Sequence, residues 1–485
     1  MMKEMILLPM NEISGIARER ERTMEWKKVA SPQGYYHRFP AVILAAGQGR
    51  RLCGSSRMLK PLTPLLGLTL LERSILTCQE AGITEYYVVV GYGKEKVISH
   101  IEELRSRYQI SVRVVENPNW KEGNGTSVLA VSKYVSDPFL ILMCDHLFEP
   151  DILQFFVQAA QGSDVCLLAV DRRFDQIVDL EDATKVRLHG QEITAIGKRI
   201  NPFDAVDMGV LLGQPMLFSA LEQARRDGDG SLSAGVRYLI DERKIQAVDV
   251  SDWFWIDVDT RESLIHAKRT LLANLSKPEE DGFISYYLNR HLSRRISEQL
   301  VDTPLTPNII TALSFLVVLC GAFLFSVGGY FWTLLAGLLV QLGSIVDGCD
   351  GEVARLKFQS SRFGAWFDTV LDRYADVAIV QGISYGYWLA HPVAFTWLGG
   401  ILALTGFVLA SYVKKEYTLR YHHRPPSGLL EKLSKRDLRL FGLFVGALLN
   451  RPFEAMILLG LVSHVWIGWI LLTIYRQKRH KPLCN

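Results

Sequence analysis

Long apolar runs in the C-terminal part of the chain restrict its possible folds more than any other feature. Each run is roughly 20 residues long, which is the length that a helix needs to cross a bilayer. The runs lie near 309–327, 330–346, 372–391, 393–413, 439–457 and 458–475, and Asn450-Arg-Pro-Phe-Glu454 interrupts the last two. The sequence therefore predicts an all-α C-terminal domain built as a six-helix transmembrane bundle.

Four aspartates lie at the ends of the second and third runs. Asp347 and Asp350 are three residues apart, and Asp368 and Asp372 are four residues apart. Each pair therefore shares one face of a helix. Because a carboxylate at membrane depth costs about 2.5–3.5 kcal/mol, four of them together require a compensating cation. We predict that all four side chains bind divalent metal ions, Mg²⁺ or Mn²⁺.

Small residues and an arginine complete this pattern. Gly351, Ala354 and Gly364 allow a ligand or a backbone to approach closely, and Arg355 adds a positive charge. The full pattern, Asp-x₂-Asp-Gly-x₂-Ala-Arg-x₈-Gly-x₃-Asp-x₃-Asp, resembles the signature of CDP-alcohol phosphotransferases. The resemblance implies that a hydroxyl group attacks the phosphate of a CDP-linked donor and that CMP leaves.

The resemblance also implies a role for each residue of the pattern. Asp347, Asp350 and Asp368 would bind the metal ions. Asp372 would take the proton of the attacking hydroxyl group while also contacting a metal ion. The residues that would bind the CDP group are Gly351, Ala354, Arg355 and Gly364. We interpret Asp376 as a structural polar residue and Glu352 as a solvated one.

Basic residues follow the fourth run. Lys414 and Arg436 are candidates to bind the phosphate of an anionic acceptor, although such residues also occur simply because cytoplasmic loops are rich in Lys and Arg. The same rule predicts that this loop and the tail 476–481 face the cytoplasm. With an even number of crossings, both chain ends and the aspartates would lie on that side of a multi-pass protein of the cell membrane.

The N-terminal half shows a different pattern. Short apolar runs such as Ala41–Ala46, Tyr86–Val90 and Phe139–Met143 are typical of buried parallel strands. Amphipathic stretches such as Thr69–Leu76 separate them. This alternation predicts a Rossmann-like, three-layer α/β domain with a mostly parallel sheet.

A glycine-rich turn follows the first of these runs. Glycines let backbone N–H groups approach phosphate oxygens, and nearby Arg51 and Lys60 supply positive charge for a triphosphate. A tight turn without a ligand is the alternative for this segment alone. The residues that would line this nucleotide site are Ala45, Ala46, Gly47, Gly49, Arg51 and Lys60. Together they resemble the signature of nucleotidyltransferases that make sugar nucleotides.

That resemblance extends to later segments. Gly123, Asn124 and Gly125 would hold the base and ribose of the nucleotide. Asp145 ends an apolar strand where the family has its first Mg²⁺ ligand; Asp257 resembles the second ligand, and Asp259 is the alternative. Lys198 resembles the lysine that contacts the phosphate of the second substrate. In such enzymes a phosphate oxygen attacks the α-phosphorus of a nucleoside triphosphate, and Arg51 and Lys60 would stabilise the added charge.

The segments between these patterns indicate the domain boundaries. We predict an irregular extension at 1–39, a nucleotidyltransferase domain at 40–275, and a linker with a membrane-surface helix at 276–306. A transmembrane CDP-alcohol phosphotransferase domain would occupy 307–485. The helix at 283–296 would lie in the headgroup region with its arginines toward anionic lipid, or would be a solvated linker helix. A net charge of +3 gives no reason to expect a nucleic acid partner.

The pairing of the two domains suggests that one makes the donor that the other consumes. It is similar to the bifunctional family that combines an inositol-1-phosphate cytidylyltransferase with a di-myo-inositol-phosphate phosphate synthase. This resemblance implies CTP and inositol 1-phosphate as substrates, CDP-inositol as intermediate, a precursor of a compatible solute as product, and a homodimer formed through the membrane domain. One alternative is a phospholipid-headgroup synthase that uses a CDP-lipid donor. Another is a membrane-anchored nucleotide sensor without enzymatic activity.

Overall fold

The computed structural model describes residues 39–53, 58–275, 282–426 and 428–480. It divides into two compact units, with the boundary after Lys268. Nearly all of the predicted N-terminal extension and residues 276–281 of the predicted linker lie outside the described residues.

A mixed sheet of nine strands forms the centre of the first unit. The strands of this unit are β1 (Ala41–Ala45), β2 (Pro64–Leu65), β3 (Leu68–Thr69), β4 (Glu85–Val90), β5 (Ser111–Glu116), β6 (Phe139–Met143), β7 (His146–Phe148), β8 (Cys166–Asp171), β9 (Lys185–His189), β10 (Glu192–Gly197), β11 (Ala205–Gly213), β12 (Ile245–Asp249) and β13 (Trp255–Asp257). The order in the large sheet is β5-β4-β1-β6-β11-β8-β12-β10-β9. Only β10 and β11 run against the other strands of this sheet, and the remaining seven strands point in one direction, so the prediction of a mostly parallel sheet is confirmed.

Helices cover both faces of this sheet. They are α1 (Arg50–Cys53), α2 (Leu70–Glu80), α3 (Lys94–Tyr108), α4 (Asn124–Leu129), α5 (Pro150–Ala159), α6 (Met216–Arg226), α7 (Leu232–Asp241) and α8 (Arg261–Ala273), the last of which crosses the unit boundary. Successive side chains of a strand point to opposite faces. Accordingly Ile43 of β1 packs with α2, α3 and α5, whereas Val42 and Leu44 pack with α4, α6 and α7. The predicted three-layer α/β architecture is confirmed.

Strand β1 determines where the first site lies. All five of its residues are buried, and it runs parallel to β4 and β6. The carboxyl ends of parallel neighbours meet at one edge of a sheet, where ligands commonly bind. The glycine-rich turn after β1 and Asp145 after β6 therefore come to the same edge.

All regular secondary structure among the described residues of the second unit is helical. A π-helical turn at Ser285–Asn289 leads into the first helix. The helices are α9 (Arg290–Leu300), α10 (Pro307–Val327), α11 (Tyr330–Leu356), α12 (Arg362–Ala390), α13 (Ala394–Tyr421), α14 (Leu429–Ser434), α15 (Arg436–Leu448) and α16 (Pro452–His480). The predicted all-α domain is confirmed.

Four of these helices are long and apolar enough to cross a membrane. They cover Pro307–Val327, Tyr330–Leu356, Ala394–Tyr421 and Pro452–Arg476. Large apolar side chains such as Phe323 (68% exposed) and Leu398 (65%) face outward from them. Apolar exposure on this scale indicates a lipid-contacting surface rather than a water-contacting one.

The predicted six-helix count is not confirmed. Helix α12 has 29 residues but carries three aspartates and two arginines in its first half, and α15 has only 13 residues. At 1.5 Å per residue, α15 spans about 20 Å, which is less than the hydrocarbon core. The predicted crossing at 439–457 is wrong, because the chain turns between Leu448 and Pro452, where Asn450 adopts a positive φ of 55°.

Candidate functional site

Three of the four predicted metal-binding aspartates meet in the second unit. Asp347 lies on α11, and Asp368 and Asp372 lie one helical turn apart on α12. Each offers one carboxylate oxygen, and the three oxygens all lie within 4.8 Å of one another. Ligands of one divalent ion are bound at about 2.0–2.6 Å, so oxygens at this separation can share an ion.

The fourth predicted ligand has a different environment. Asp350 lies outside the three-carboxylate group, and its Oδ2 accepts a hydrogen bond of 2.5 Å from Thr311 Oγ1. Thr311 belongs to α10, which packs against α11. Asp347 has a similar neighbour, because Ser314 Oγ of α10 donates to its Oδ1 at 3.3 Å. Sequence reasoning missed both hydroxyl groups.

Arg436 lies among the carboxylates rather than in a free loop. It is the first residue of α15, and its Nη1 lies 3.2 Å from Asp347 Oδ2 and 2.5 Å from Asp372 Oδ1. Its Nε lies 3.4 Å from Asp376 Oδ1. The predicted loop location of Arg436 is therefore wrong, whereas its predicted contact with an acceptor phosphate stays a prediction. In this arrangement its permanent charge compensates one buried carboxylate, Asp376, and two partly buried ones.

Asp376 is surrounded by arginines of the protein itself. The side chain is 3% exposed and pairs with Arg373 Nη1 at 3.0 Å and, more loosely, with Arg439 Nη2 at 3.8 Å. Arg373 also donates to Ser411 Oγ at 2.6 Å. These contacts join α12, α13 and α15 behind the aspartate group, which fits the structural role predicted for Asp376. The sequence carried no signal for Arg373.

The remaining predicted residues of this unit are distributed around the group. Gly364 N donates to Ser361 Oγ at 2.9 Å, which caps the start of α12. Gly351 follows Asp350, and a Cβ on it would lie 3.4 Å from Arg355 Nη1. Arg355 Nη2 donates to Leu275 O at 3.2 Å. Ala354 is partly exposed.

Lys414 is the residue that was predicted, with Arg436, to bind an acceptor phosphate. Its Nζ lies 3.2 Å from Glu431 Oε1 on α14, and its side chain is 42% exposed.

Glu352 is fully buried, so its prediction as a solvated residue is wrong. Its Oε1 lies 2.9 Å from Arg290 Nη1 and 2.7 Å from Ser293 Oγ, and its Oε2 lies 2.7 Å from Ser297 Oγ. The three partners share one face of the helix that precedes α10. The basic residue Arg290 of this helix thus points into the protein, whereas Arg295 is exposed. The contact of Arg295 with lipid headgroups stays a prediction.

Replacing Arg290 by Met should destabilise the second unit strongly. The change leaves the Glu352 carboxylate buried without its ion-pair partner, which typically costs about 3–5 kcal/mol. Thermal unfolding of the detergent-solubilised protein should show a clearly lower Tm. Arg295→Met is the matched control on the same helix and should leave the Tm unchanged. Adding Glu352→Gln to Arg290→Met should restore part of the lost Tm, because the neutral amide removes the unpaired buried charge. Equal Tm values for all the variants would contradict this role of the pair.

In the first unit, Lys60 is the centre of a compact charge cluster. It begins the 3₁₀ turn Lys60–Leu62 and is 7% exposed. Its Nζ contacts both Asp145 Oδ2 and Asp259 Oδ1, and these carboxylates raise its pKa although burial opposes the charge. Gly49 has a φ of 62°, and a Cβ there would collide with the Lys60 side chain. The glycine therefore allows the turn after β1 to cover the lysine.

Arg51 and Lys198 share a carboxylate that sequence reasoning missed. Arg51 Nη1 lies 2.6 Å from Asp182 Oδ2, and Lys198 Nζ lies 2.7 Å from Asp182 Oδ1. Arg51 Nη2 also lies 2.5 Å from Asp259 Oδ2. Both cations predicted to bind substrate phosphates therefore lie at the same edge, partly exposed, with carboxylates that an anionic substrate could displace.

Asp145, His146 and Asp257 form a second group with metal-binding geometry. One ligand atom of each lies within 4.8 Å of the others. Strands β7 and β13 produce this arrangement, because Asp257 pairs directly with His146. Asp257 therefore occupies the predicted position of the second ligand, whereas the alternative, Asp259, pairs with Lys60 and Arg51. His146 was not predicted as a functional residue.

The two carboxylates of this group differ in the direction of their pKa shifts. Burial raises the pKa of Asp257 to about 6, with Asp145 adding to the rise and His146 opposing it. Burial also disfavours the charge of Asp145, but Lys60 and His146 outweigh it and keep that pKa below its ordinary value. Asp257 Oδ1 is buried and, within the described part of the chain, has no hydrogen-bond partner. A divalent ion would satisfy this atom, so the residues fit the metal that the fold implies.

The predicted base-and-ribose segment packs closely against the start of α7. Gly123 has a φ of 130°, and a Cβ there would lie 2.5 Å from Gly230 O. Gly125 approaches the same carbonyl oxygen, at 2.7 Å for a built Cβ. Asn124 Oδ1 accepts a hydrogen bond of 2.8 Å from Leu232 N, so its side chain caps α7. Close backbone packing explains the two glycines here.

The other predicted residues of the nucleotide site lie at the end of β1. They are Ala45, Ala46 and Gly47, and a Cβ on Gly47 would meet no atom within 4 Å.

Comparison with known proteins also assigns one catalytic domain to each of the two units. Residues 41–245 match a family described as the MobA-like NTP transferase domain. Residues 304–474 match the CDP-alcohol phosphatidyltransferase family. Both predicted types of catalytic domain are therefore confirmed, the chain is an enzyme, and the sensor alternative is wrong.

Similarity to whole proteins covers both domains at once. A "Bifunctional IPC transferase and DIPP synthase" of Rubrobacter xylanophilus is 37% identical over 432 residues, 87% of this chain and 94% of the relative. A protein of the same name from Aquifex aeolicus is 32% identical over 442 residues, 90% of this chain and 97% of the relative. A solved inositol-1-phosphate CTP transferase from T. maritima is 26% identical, with a TM-score of 0.43, covering 47% of this chain and 93% of that one. The chain belongs to the family of bifunctional IPC transferases and DIPP synthases.

Proposed function

We propose that the first unit converts CTP and inositol 1-phosphate to CDP-inositol and pyrophosphate. A phosphate oxygen of inositol 1-phosphate bonds to the α-phosphorus of CTP, and the bond from that phosphorus to the β-phosphate oxygen breaks. No proton has to be removed, so positioning and charge neutralisation supply the rate enhancement. The names of the relatives that cover both domains support this choice of substrates.

The side chains at the edge of the sheet have separate tasks in this proposal. Lys60 and Arg51 stabilise the charge that develops on the triphosphate, and Lys198 contacts the phosphate of inositol 1-phosphate. Gly47 and Gly49 let the backbone approach the triphosphate, and the segment from Gly123 to Gly125 borders the nucleoside. A divalent ion bound by Asp145 and Asp257 would neutralise the α-phosphate.

We propose that the second unit transfers the inositol phosphate group of CDP-inositol to a second inositol phosphate. A hydroxyl oxygen of the acceptor bonds to the inositol-bearing phosphorus, and the bond to the CMP oxygen breaks. Asp372 accepts the hydroxyl proton, and the products are di-myo-inositol phosphate phosphate and CMP. Divalent ions bound by Asp347, Asp368 and Asp372, with Asp350 beside them, would neutralise the diphosphate.

Two arginines have roles that depend on the donor. Arg355, next to Gly351 and Ala354, pairs with the donor phosphates in this proposal. Arg436 compensates Asp347 and Asp372 in the described arrangement. If bound metal ions supplied that compensation, its guanidinium would be available to pair with a phosphate group of the substrate. Lys414 is the other candidate for the acceptor phosphate.

The observation that supports the proposal most strongly is the presence of two separate carboxylate groups, one in each unit of a chain of this family. Purified full-length protein in detergent should be incubated with CTP, inositol 1-phosphate and Mg²⁺, and the products followed by ³¹P NMR. We expect pyrophosphate, CDP-inositol, CMP and a phosphodiester that carries an additional phosphate monoester. EDTA should stop both steps, and a second step that continues without metal would contradict the proposed metal group.

The same experiment separates this proposal from the alternative with a lipid donor. A water-soluble phosphodiester formed without added lipid supports CDP-inositol as the donor. If CDP-inositol accumulates and CMP appears only after a CDP-lipid is added, the second unit is a phospholipid-headgroup synthase instead.

The membrane orientation and the oligomeric state are part of the proposal. The Lys- and Arg-rich loop after α13 supports a cytoplasmic location for both sites by the positive-inside rule. Protease accessibility in oriented vesicles would test this location. The homodimer stays a prediction, which mass measurement of the detergent-solubilised protein can check.

A further inference from the structure

His146 is held in an orientation that leaves one ring nitrogen free to act as a ligand. Its Nδ1 lies 2.6 Å from the carbonyl oxygen of Met208. A carbonyl oxygen can only accept a hydrogen bond, so Nδ1 carries the proton. In the neutral ring, Nε2 then has an unprotonated lone pair. A histidine that binds a metal ion through one ring nitrogen usually donates a hydrogen bond from the other, often to a backbone carbonyl oxygen as here.

The ring is closely packed on both sides. Gly209 has a φ of 81°, and a Cβ there would collide with the imidazole. On the other side the indole of Trp255 stacks on the ring, with centroids 5.8 Å apart and planes at 21°. Trp255 is itself held by a 2.7 Å hydrogen bond from its Nε1 to Asp171 Oδ2, and Asp171 is 1% exposed. Backbone and core contacts therefore hold the ring in this orientation.

The free nitrogen lies near a carboxylate that has an oxygen atom without a hydrogen-bond partner among the described residues. Nε2 lies 3.6 Å from Asp257 Oδ2, which is beyond an ordinary hydrogen bond. Oδ1 of the same carboxylate is the buried atom that has no hydrogen-bond partner among the described residues. Asp145 completes the set within 4.8 Å. Lys60 Nζ contacts Asp145 but pairs on its other side with Asp259. In the neutral ring, the lone pair of Nε2 and the Asp257 carboxylate repel each other, and a cation bound between them would relieve this repulsion.

We propose that His146 Nε2 is a direct ligand of the metal ion held by Asp145 and Asp257, which makes the nucleotidyltransferase metal centre a mixed nitrogen–oxygen site. The inference rests on the proposed function of the first unit. Mg²⁺ prefers oxygen ligands, whereas imidazole suits first-row transition metals. The site therefore selects for an ion such as Mn²⁺ or Co²⁺ over Mg²⁺ more strongly than a site of two carboxylates does. The aspartate group of the second unit contains no histidine and lacks this preference.

Electron spin echo envelope modulation of Mn²⁺ bound to the full-length protein, without nucleotide, tests this directly. A coordinated imidazole gives a ¹⁴N modulation that a purely carboxylate site cannot give, so the second unit does not interfere. We expect the modulation in the wild type and its loss in His146→Gln. Labelling with ¹⁵N-histidine should change the modulation in the wild type. His189→Gln, on the exposed end of β9, is the matched control and should retain it.

Binding measurements supply a second readout. His146→Gln should weaken Mn²⁺ binding at one of the two sites by about tenfold or more, since even loss of an outer partner of a ligand costs about 10–100-fold. Mg²⁺ binding should change less. Absence of ¹⁴N modulation in wild-type protein with Mn²⁺ bound at both sites would overturn the proposal and would show that His146 only pairs with Asp257. Pyrophosphate release from CTP and inositol 1-phosphate, assayed in parallel, tests the proposed function separately.

Discussion

Replacing Asp372 by Asn should abolish CMP formation while pyrophosphate release from CTP and inositol 1-phosphate continues. An amide cannot accept the hydroxyl proton, and a positioned general base contributes about 10²–10⁴-fold to the rate. The same change removes one of three carboxylates from the metal group of the second unit. We therefore expect a loss near the upper end of that range and accumulation of CDP-inositol, measured by ³¹P NMR.

A suitable control for Asp372→Asn is Glu416→Gln. Glu416 lies on α13, pairs with Arg420 and is not part of the metal group. This variant should carry out both steps at wild-type rates. If Asp372→Asn loses pyrophosphate release as well, the two activities do not occupy separate sites. If it retains CMP formation, another group is the base.

Replacing Asp145 by Asn should have the opposite effect. The change removes a carboxylate from the metal group of the first unit and breaks the contact with Lys60 Nζ. Loss of one charge-stabilising partner in such a site typically costs about 10²–10³-fold in rate. Pyrophosphate release should fall by at least this factor, whereas supplied CDP-inositol and inositol phosphate should still yield CMP.

The matched control for Asp145→Asn lies at the other end of the same strand. Asp137 precedes β6 and is exposed, so Asp137→Asn should leave both reactions unchanged. Equal loss of CMP formation from supplied CDP-inositol in Asp145→Asn would indicate that the variant is misfolded or that the first unit acts in the second step. Thermal unfolding of both variants separates these two explanations.

Much of this molecule could be predicted from local patterns. Apolar runs of roughly 20 residues predict membrane helices because the bilayer thickness sets their length. The three- and four-residue spacings of the aspartates place them on common helix faces by geometry alone. The predicted bounds of the fifth membrane helix, 439–457, were wrong because the chain turns near Asn450, which has a positive φ, and α15 already ends at Leu448.

The charge partners could not be predicted in the same way. Arg436 is 89 residues from Asp347 in the chain, and Arg290 is 62 residues from Glu352. The sequence does not state which of many arginines reaches a given carboxylate. A buried charge needs a partner, but packing of distant helices selects it. Glu352 was therefore predicted as solvated although it is fully buried.

By itself the sequence determined the two domain types and the residue types of both sites, because turn glycines, helix periodicity and hydrophobic length act over a few neighbouring residues. Only the tertiary structure decided which side chains form each site. In the folded chain, Asp347, Asp368 and Asp372 lie close together, and Arg436 pairs with the first and last of them. Asp350 instead accepts a hydrogen bond from Thr311, and Nε2 of His146 lies near Asp257. Such contacts depend on the pairing of strands and the packing of helices that lie far apart in the chain, and these are settled by the whole core at once.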